Sequence, residues 1–129
     1  IDLGLSRIRP DSPFLDDFLR YHLDDIHRFQ PDFTMPVQDS FTLVLTRDGL
    51  PAGAVVGRPE GEALVLTLDY VLKAYRDSRL GNWLFGAGAK VFRDEGFTRL
   101  ESEPGTELHE SYLERVGFRR AGDRYVLEL

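Results

Sequence analysis

Residues Leu68 to Leu84, LDYVLKAYRDSRLGNWL, constrain this chain more than any other stretch. An apolar, strand-like run from Ala63 to Val71 feeds a short basic loop, which opens at Gly81 into a helix-like pattern. Such a passage belongs to a sheet with helices packed on it. It is also a ready-made anion site, because unpaired backbone N–H groups and the positive end of the helix dipole face the loop. The first ligand it suggests is a phosphate-rich cofactor.

Composition narrows the partners. The 129 residues suit one domain, 1–129, with a single buried core. A net charge of −6 argues against nucleic acid, which demands a concentrated basic surface. Local clusters, Arg76 with Arg79 and Arg115 with Arg119 and Arg120, still leave room for a small polyphosphate. With no cysteine there is no disulfide framework, thiol nucleophile or zinc-thiolate site. The apolar runs fall far short of the ~18 residues of a membrane span, so no membrane insertion by this segment is expected. The first residue is Ile1 rather than Met, which suggests a domain of a longer protein.

The remaining elements follow from pattern. IDLGLSRIRP reads as a strand closed by Pro10, after which Asp11 or Ser12 caps a helix that begins at Pro13. Phe14, Leu15, Phe18, Leu19, Leu23, Ile26 and Phe29 form one helical stripe. Residues 30–40 read as a loop. FTLVLTR (41–47), AGAVVGR (52–58) and EALVLTLDYV (62–71) are strands turned at Asp48-Gly49 and at Pro59-Glu60-Gly61. Alternation places Asp69 on the strand face of Val65, Thr67 and Val71. Leu84, Ala87, Gly88, Val91 and Phe92 give the face of one helix that ends at a left-handed Gly96. A strand over 98–103, a helix over 106–116 and a hairpin turned at Ala121-Gly122-Asp123 complete a single α/β domain.

That order, its loop and its ending resemble the GNAT superfamily of N-acetyltransferases. The family's cofactor loop runs V-x-P-x-Y-R-G-x-G-x-G into a helix, and Val71, Tyr75, Arg76 and Gly81 match it here. The family also closes with a tyrosine-bearing helix, Gly-Phe and a β-hairpin; Tyr112, Gly117-Phe118 and Arg124-Tyr125-Val126-Leu127 match that ending. The match covers nearly the whole chain and implies a GNAT-like domain, with a mostly antiparallel central sheet flanked by helices. The string Leu-Asp-Tyr-Val followed by Tyr-Arg-Asp is similar to the soluble GNAT-like domain of some bacterial inner-membrane proteins. That likeness implies a cytoplasmic domain.

The resemblance implies acetyl-CoA as cofactor, held by Val71 and by Arg76, Asp77, Ser78, Arg79, Leu80, Gly81 and Asn82. Asp77 and Arg79 replace two of the three loop glycines, and an aspartate beside a phosphate is unfavourable by roughly 1–4 kcal/mol at ~4 Å, so weakened affinity is expected. It implies Asp69 as the base, with Glu101, Glu103 and His109 as alternates. The family's acidic tyrosine falls at Leu113. Tyr112, about 100° away around the helix, takes that role only if the helix is turned, and otherwise packs in the core. The implied acceptor is a small-molecule or peptide amine, favoured when cationic by the acidity near the site. The competing implication is a catalytically impaired binding or sensor module. His22 and His27 stand five apart, not on one helix face, so no metal site is expected. The edge of the closing hairpin offers a surface for a homodimer.

Overall fold

The computed structural model describes residues 1–129, apart from the side chains of Asp77 and Ser78. One seven-stranded sheet runs through it in the order β1-β2-β3-β4-β5-β7-β6. Its strands are β1 (Leu3–Arg7), β2 (Phe41–Arg47), β3 (Leu50–Glu60), β4 (Ala63–Val71), β5 (Arg99–Ser102), β6 (Arg119–Ala121) and β7 (Arg124–Glu128). Every pairing is antiparallel except β4 with β5. The expected mixed α/β architecture, mostly antiparallel and flanked by helices, is what forms. Among the described residues no helix is long and apolar enough to cross a membrane.

Helices α1 (Pro13–Tyr21) and α2 (Leu23–Phe29) cover one face. Leu15, Leu19 and Ile26 bury themselves there against Val44, Ala54, Val56, Leu68 and Tyr70. The start of α1 follows its sequence: Ser12 accepts from the Leu15 N–H and Pro13 takes the first turn. The helix expected over 14–29 is divided at His22, whose ring packs on Phe18 and Tyr70 at centroid distances of 4.8 and 5.7 Å. The apolar stripe continues through the division, so periodicity alone does not mark it.

The other face carries α3 (Leu80–Phe85), α4 (Lys90–Asp94) and α5 (Glu107–Arg115). Leu84, Phe85, Phe92, Leu113 and Phe118 pack there on Leu43, Val55, Leu64, Leu66 and Leu100. The single helix expected after Gly81 is broken. Gly86 adopts φ −107, ψ −100, and a Cβ there would stand 2.7 Å from the Asn82 carbonyl oxygen. Gly96 does end α4 in a left-handed conformation, at φ 95. The turn expected at residues 59–61 sits one residue later, at Gly61-Glu62, because β3 continues through Pro59 and Glu60.

Two irregularities in β4 shape the site. Val56 pairs with Leu68 while Gly57 pairs with Leu66, so Thr67 is an extra residue that bulges from the ladder. Leu64 and Leu66 therefore face α3 and α5, whereas Leu68 and Tyr70 face α1 and α2. Asp69, opposite Val55, points to the side of α5. The strand face expected for Asp69 is thus corrected: the bulge reverses alternation, and Asp69 shares its side with Leu64 and Leu66, not with Val65. The second irregularity is a parting of strands. β4 and β5 pair only over Ala63–Leu66 and Arg99–Ser102, so β4 runs on beyond its neighbour.

Candidate active site

At that parting lies a cavity of about 280 Å³, floored by β4 and bounded by α2 and α5. Thr106 sets the position of α5. Its hydroxyl oxygen accepts from the His109 N–H and donates to the Phe29 carbonyl, tying the start of α5 to the end of α2. One helical turn then carries His109 and Tyr112 to the same wall of the cavity.

Asp69 and His109 form the polar centre. His109 Nε2 lies 2.9 Å from Asp69 Oδ1, with side-chain exposures of 4% and 0%. Burial alone would push the imidazole down. The charge and hydrogen bond of Asp69 outweigh it and hold His109 above its ordinary value. Asp69 Oδ2, His109 Nδ1 and the Tyr112 hydroxyl are buried and have no hydrogen-bond partner among the described residues. Tyr112 stacks on His109 at 6.3 Å and 21°. Burial, and secondarily the Asp69 charge, raises the Tyr112 hydroxyl and keeps it protonated. Three such atoms in one small region are unusual, since buried polar groups are nearly always bonded.

Asp69 and Tyr112 both line the cavity, together with His109, which bonds Asp69 and stacks on Tyr112. Leu113 is fully buried in the core, so Tyr112 is the tyrosine this helix presents to the cavity. Val71, Arg76 and Gly81 line the same cavity. The Arg76 side chain is turned inward: it donates to Asp25 at 2.6 Å and to the Val71 carbonyl at 3.1 Å, and lies over the Phe29 ring. Burial works against the Asp25 charge, but the bonds from Tyr70 and Arg76 outweigh it and hold that carboxyl low. Arg79 and Asn82 are exposed, and Leu80 packs in a core with Leu45, Ala52 and Val71. The side chains of Asp77 and Ser78 lie outside the described residues. Glu101 is engaged by Arg99 and Arg124, which hold its carboxyl low. Glu103 lines a second, more polar cavity of about 250 Å³.

Sequence reasoning missed Gln30. Its carboxamide donates to the Thr67 carbonyl at 3.1 Å and accepts from the Asp69 N–H at 3.2 Å. It satisfies the edge of β4 where β5 has left. The partners lie 37 and 39 residues away, and no local signal in the chain announces them.

No protein-family model matches the chain, and no curated protein matches it in sequence. Solved structures match it along its length. An IAA acetyltransferase from Bacillus cereus is 15% identical, with 99% of this chain and 100% of that one aligned at a TM-score of 0.71. An aminoglycoside acetyltransferase in complex with coenzyme A and kanamycin is 15% identical over 98% and 95% of the two chains, at 0.69. An acetyltransferase of the GNAT family from Streptococcus pneumoniae is 15% identical over 97% and 96%, at 0.62. Likeness at such identities speaks for architecture rather than activity, and the architecture of this chain is the GNAT fold.

Proposed function

We propose that this chain is an N-acetyltransferase that moves an acetyl group from acetyl-CoA to a primary amine. The observation that carries the reading is the parted β4–β5 edge with the Asp69–His109 pair and the unpartnered Tyr112 hydroxyl beside it. The coenzyme A in the structural neighbour supports the same cofactor class.

The residues present fit an acyl-CoA at two points. Arg79 holds φ 62, ψ 26, the left-handed backbone that a glycine of the family's loop would supply. The loop thus keeps a glycine-like path without the glycine, at about 1–2 kcal/mol. The second point is the Tyr112 hydroxyl, a buried proton donor with no partner among the described residues, on a side chain that lines the cavity. The backbone N–H groups of Leu80, Gly81 and Asn82, in the first turn of α3, would hold the pyrophosphate, since Lys73–Ser78 form a 3₁₀ helix that uses its own N–H groups. The Val71 N–H would bind the thioester carbonyl.

Bound acetyl-CoA supplies an activated thioester. The protein's own part is proton handling. Asp69 Oδ2 takes the proton that a primary ammonium must lose before its nitrogen can attack. His109 holds the carboxylate through Oδ1 and fixes its orientation. Tyr112 keeps a proton at its hydroxyl oxygen for the departing group. Contacts of the loop and the start of α3 with the pyrophosphate would position the reactants and take no proton.

A second reading, a binding or sensor module without turnover, is favoured by one observation. Gln30 and Arg76 spend their polar groups on the protein, at the strand edge and on Asp25. Calorimetric titration with acetyl-CoA, followed by transfer assays on an amine library, decides between the two. A transferase binds acetyl-CoA and loses about 100-fold or more in rate in Asp69→Asn, with affinity for acetyl-CoA unchanged. Binding without turnover in the wild type supports the module. No binding at millimolar ligand overturns the transferase and leaves the module.

A further inference from the structure

The Asp69–His109 pair is open at both ends. Oδ1 and Nε2 hold each other at 2.9 Å, which leaves Oδ2 at one end and Nδ1 at the other, both buried and without a hydrogen-bond partner among the described residues. A carboxyl oxygen in that bond accepts, so Nε2 keeps its proton and Nδ1 is the nitrogen that titrates. The space beside Nδ1 belongs to Gly105. A Cβ on that glycine would stand 3.0 Å from Nδ1 and 3.0 Å from the Phe29 carbonyl oxygen, so the missing side chain leaves a gap there. Gly105 is exposed and lines the second, polar cavity, whereas Asp69 and His109 line the first.

We propose that the pair is a proton exchanger: as Asp69 Oδ2 gains the proton of the acceptor, His109 Nδ1 gives up its own to water on the Gly105 side. This rests on the transferase reading and adds a second group that changes charge during the reaction.

Charge in a buried place decides the direction. Burial presses against the imidazolium; the charge and hydrogen bond of Asp69 outweigh it, with a smaller pull from Glu110 on α5. Tyr112 stacks on the ring as a neutral phenol, and the Phe29 carbonyl at the end of α2 already accepts from the Thr106 hydroxyl. The ring's charge therefore depends on Asp69. Protonation of Oδ2 removes the negative charge, and burial then prevails. The step balances: an N–H bond of the ammonium breaks as Oδ2–H forms, and Nδ1–H breaks as its proton passes to water. Carboxylate and imidazolium become carboxylic acid and imidazole, neutral in sum before and after. Without the release the buried pair would carry a net positive charge, which a buried site opposes strongly. The reverse exchange after product departure restores the pair.

The ring can be read directly, with no turnover. In an isotope-labelled chain the imidazole nitrogens of His109, one of three histidines, are identified by their loss in His109→Gln. They are followed against pH in the wild type and in Asp69→Asn, whose carboxamide is neutral like the protonated carboxyl and still accepts from Nε2. The His109 midpoint is expected to fall by about one pH unit or more in Asp69→Asn, with Nδ1 as the nitrogen that loses its proton. An unchanged midpoint, or loss of the proton from Nε2, overturns the inference. Gly105→Ala gives a second measurement that leaves the pair intact and stands where Asp69→Asn does not fold. Gly105 has no left-handed backbone, so alanine is tolerated there apart from its closing of the gap. Exchange of the Nδ1 proton with water is expected to slow several-fold, and transfer with it, at an unchanged KM for acetyl-CoA. Exchange as fast as in the wild type overturns the inference. A coupled ring in a chain that binds no acetyl-CoA overturns the transferase reading alone. Intact transfer with an uncoupled ring overturns this inference alone.

Discussion

The hydroxyl of Tyr112 lies 2.5 Å from where a Cβ on residue 81 would stand, and two further atoms of its ring lie within 3.0 Å. Gly81 and Tyr112 thus share a single space, one giving up its side chain so that the other can face the cavity. The contact joins the start of α3 to α5, and so joins the loop to the wall of the cavity.

Gly81→Ala therefore forces the tyrosine ring aside. The expected cost is about 1–3 kcal/mol, typical of overpacking in a filled interior. Because the clash is with one ring, the cost should largely vanish on a Tyr112→Ala background. Urea unfolding of the two single variants and the double variant gives a coupling energy of about 1 kcal/mol or more. Strict additivity would show that the ring has room to yield.

Tyr112→Phe separates packing from chemistry. The hydroxyl is buried and has no hydrogen-bond partner among the described residues, so its removal relieves an unsatisfied polar group. Stability is expected to hold or to rise by about 1 kcal/mol. Transfer, under the proposed function, falls by about 100-fold or more as the proton donor is lost. A loss of stability on this substitution would mean that the hydroxyl has a partner in the working protein.

The sequence showed more of the scaffold than of the site. Ser12 and Pro13 mark a helix start, Asp48-Gly49 a hairpin, and Thr106 the start of α5, because each is a local signal whose bond closes within a few residues. Asp69 and Tyr112, candidates from the sequence, both line the cavity. The direction in which Asp69 points was not legible. LVLTLDY alternates evenly, and only the ladder with β3 reveals that Thr67 is an extra residue; Gly57 across from it is the one trace in sequence, since a glycine inside a strand often marks a bulge. Gln30, Asp25 and the inward turn of Arg76 depend on partners 37 to 51 residues away, beyond the reach of any periodicity.

His109 gives a pH dependence with a definite sign. Its value in the folded chain lies above the ordinary one, because Asp69 favours the imidazolium more than burial opposes it. A raised value means that the folded state binds the proton more tightly than the unfolded one. The pair's contribution is fully present below about pH 6.5, the unfolded value, and is lost as pH rises through the folded value. His109→Gln removes this dependence and, by leaving Asp69 buried without its partner, lowers stability by about 3 kcal/mol. Urea midpoints across that range check both parts. A wild-type chain that gains stability, relative to His109→Gln, as pH rises would show that the pair is not charged as the geometry implies.

Arg76 matches the arginine of the family's cofactor loop, yet its guanidinium is engaged by the protein itself. It holds Asp25 and the Val71 carbonyl and lies over Phe29 at 4.5 Å, while the Tyr70 hydroxyl donates to the same Asp25 oxygen, Oδ2, at 2.6 Å. If this is its role, the consequence appears with no ligand present. Arg76→Ala is expected to lower the stability of the ligand-free chain by about 1–3 kcal/mol, since it strips a partly buried carboxylate of its nearer cation, with Arg28 left at 3.8 Å, and a strand carbonyl of its donor. Arg76→Lys should recover little of this, because an ammonium has neither the fork that spans the two acceptors nor the flat face that stacks on Phe29. Asp25→Asn combined with Arg76→Ala should cost less than the sum of the two single changes, as both act on one network. Chemical unfolding of the four variants measures each value. An Arg76→Ala chain as stable as the wild type, but weaker toward acetyl-CoA, would return this arginine to the cofactor.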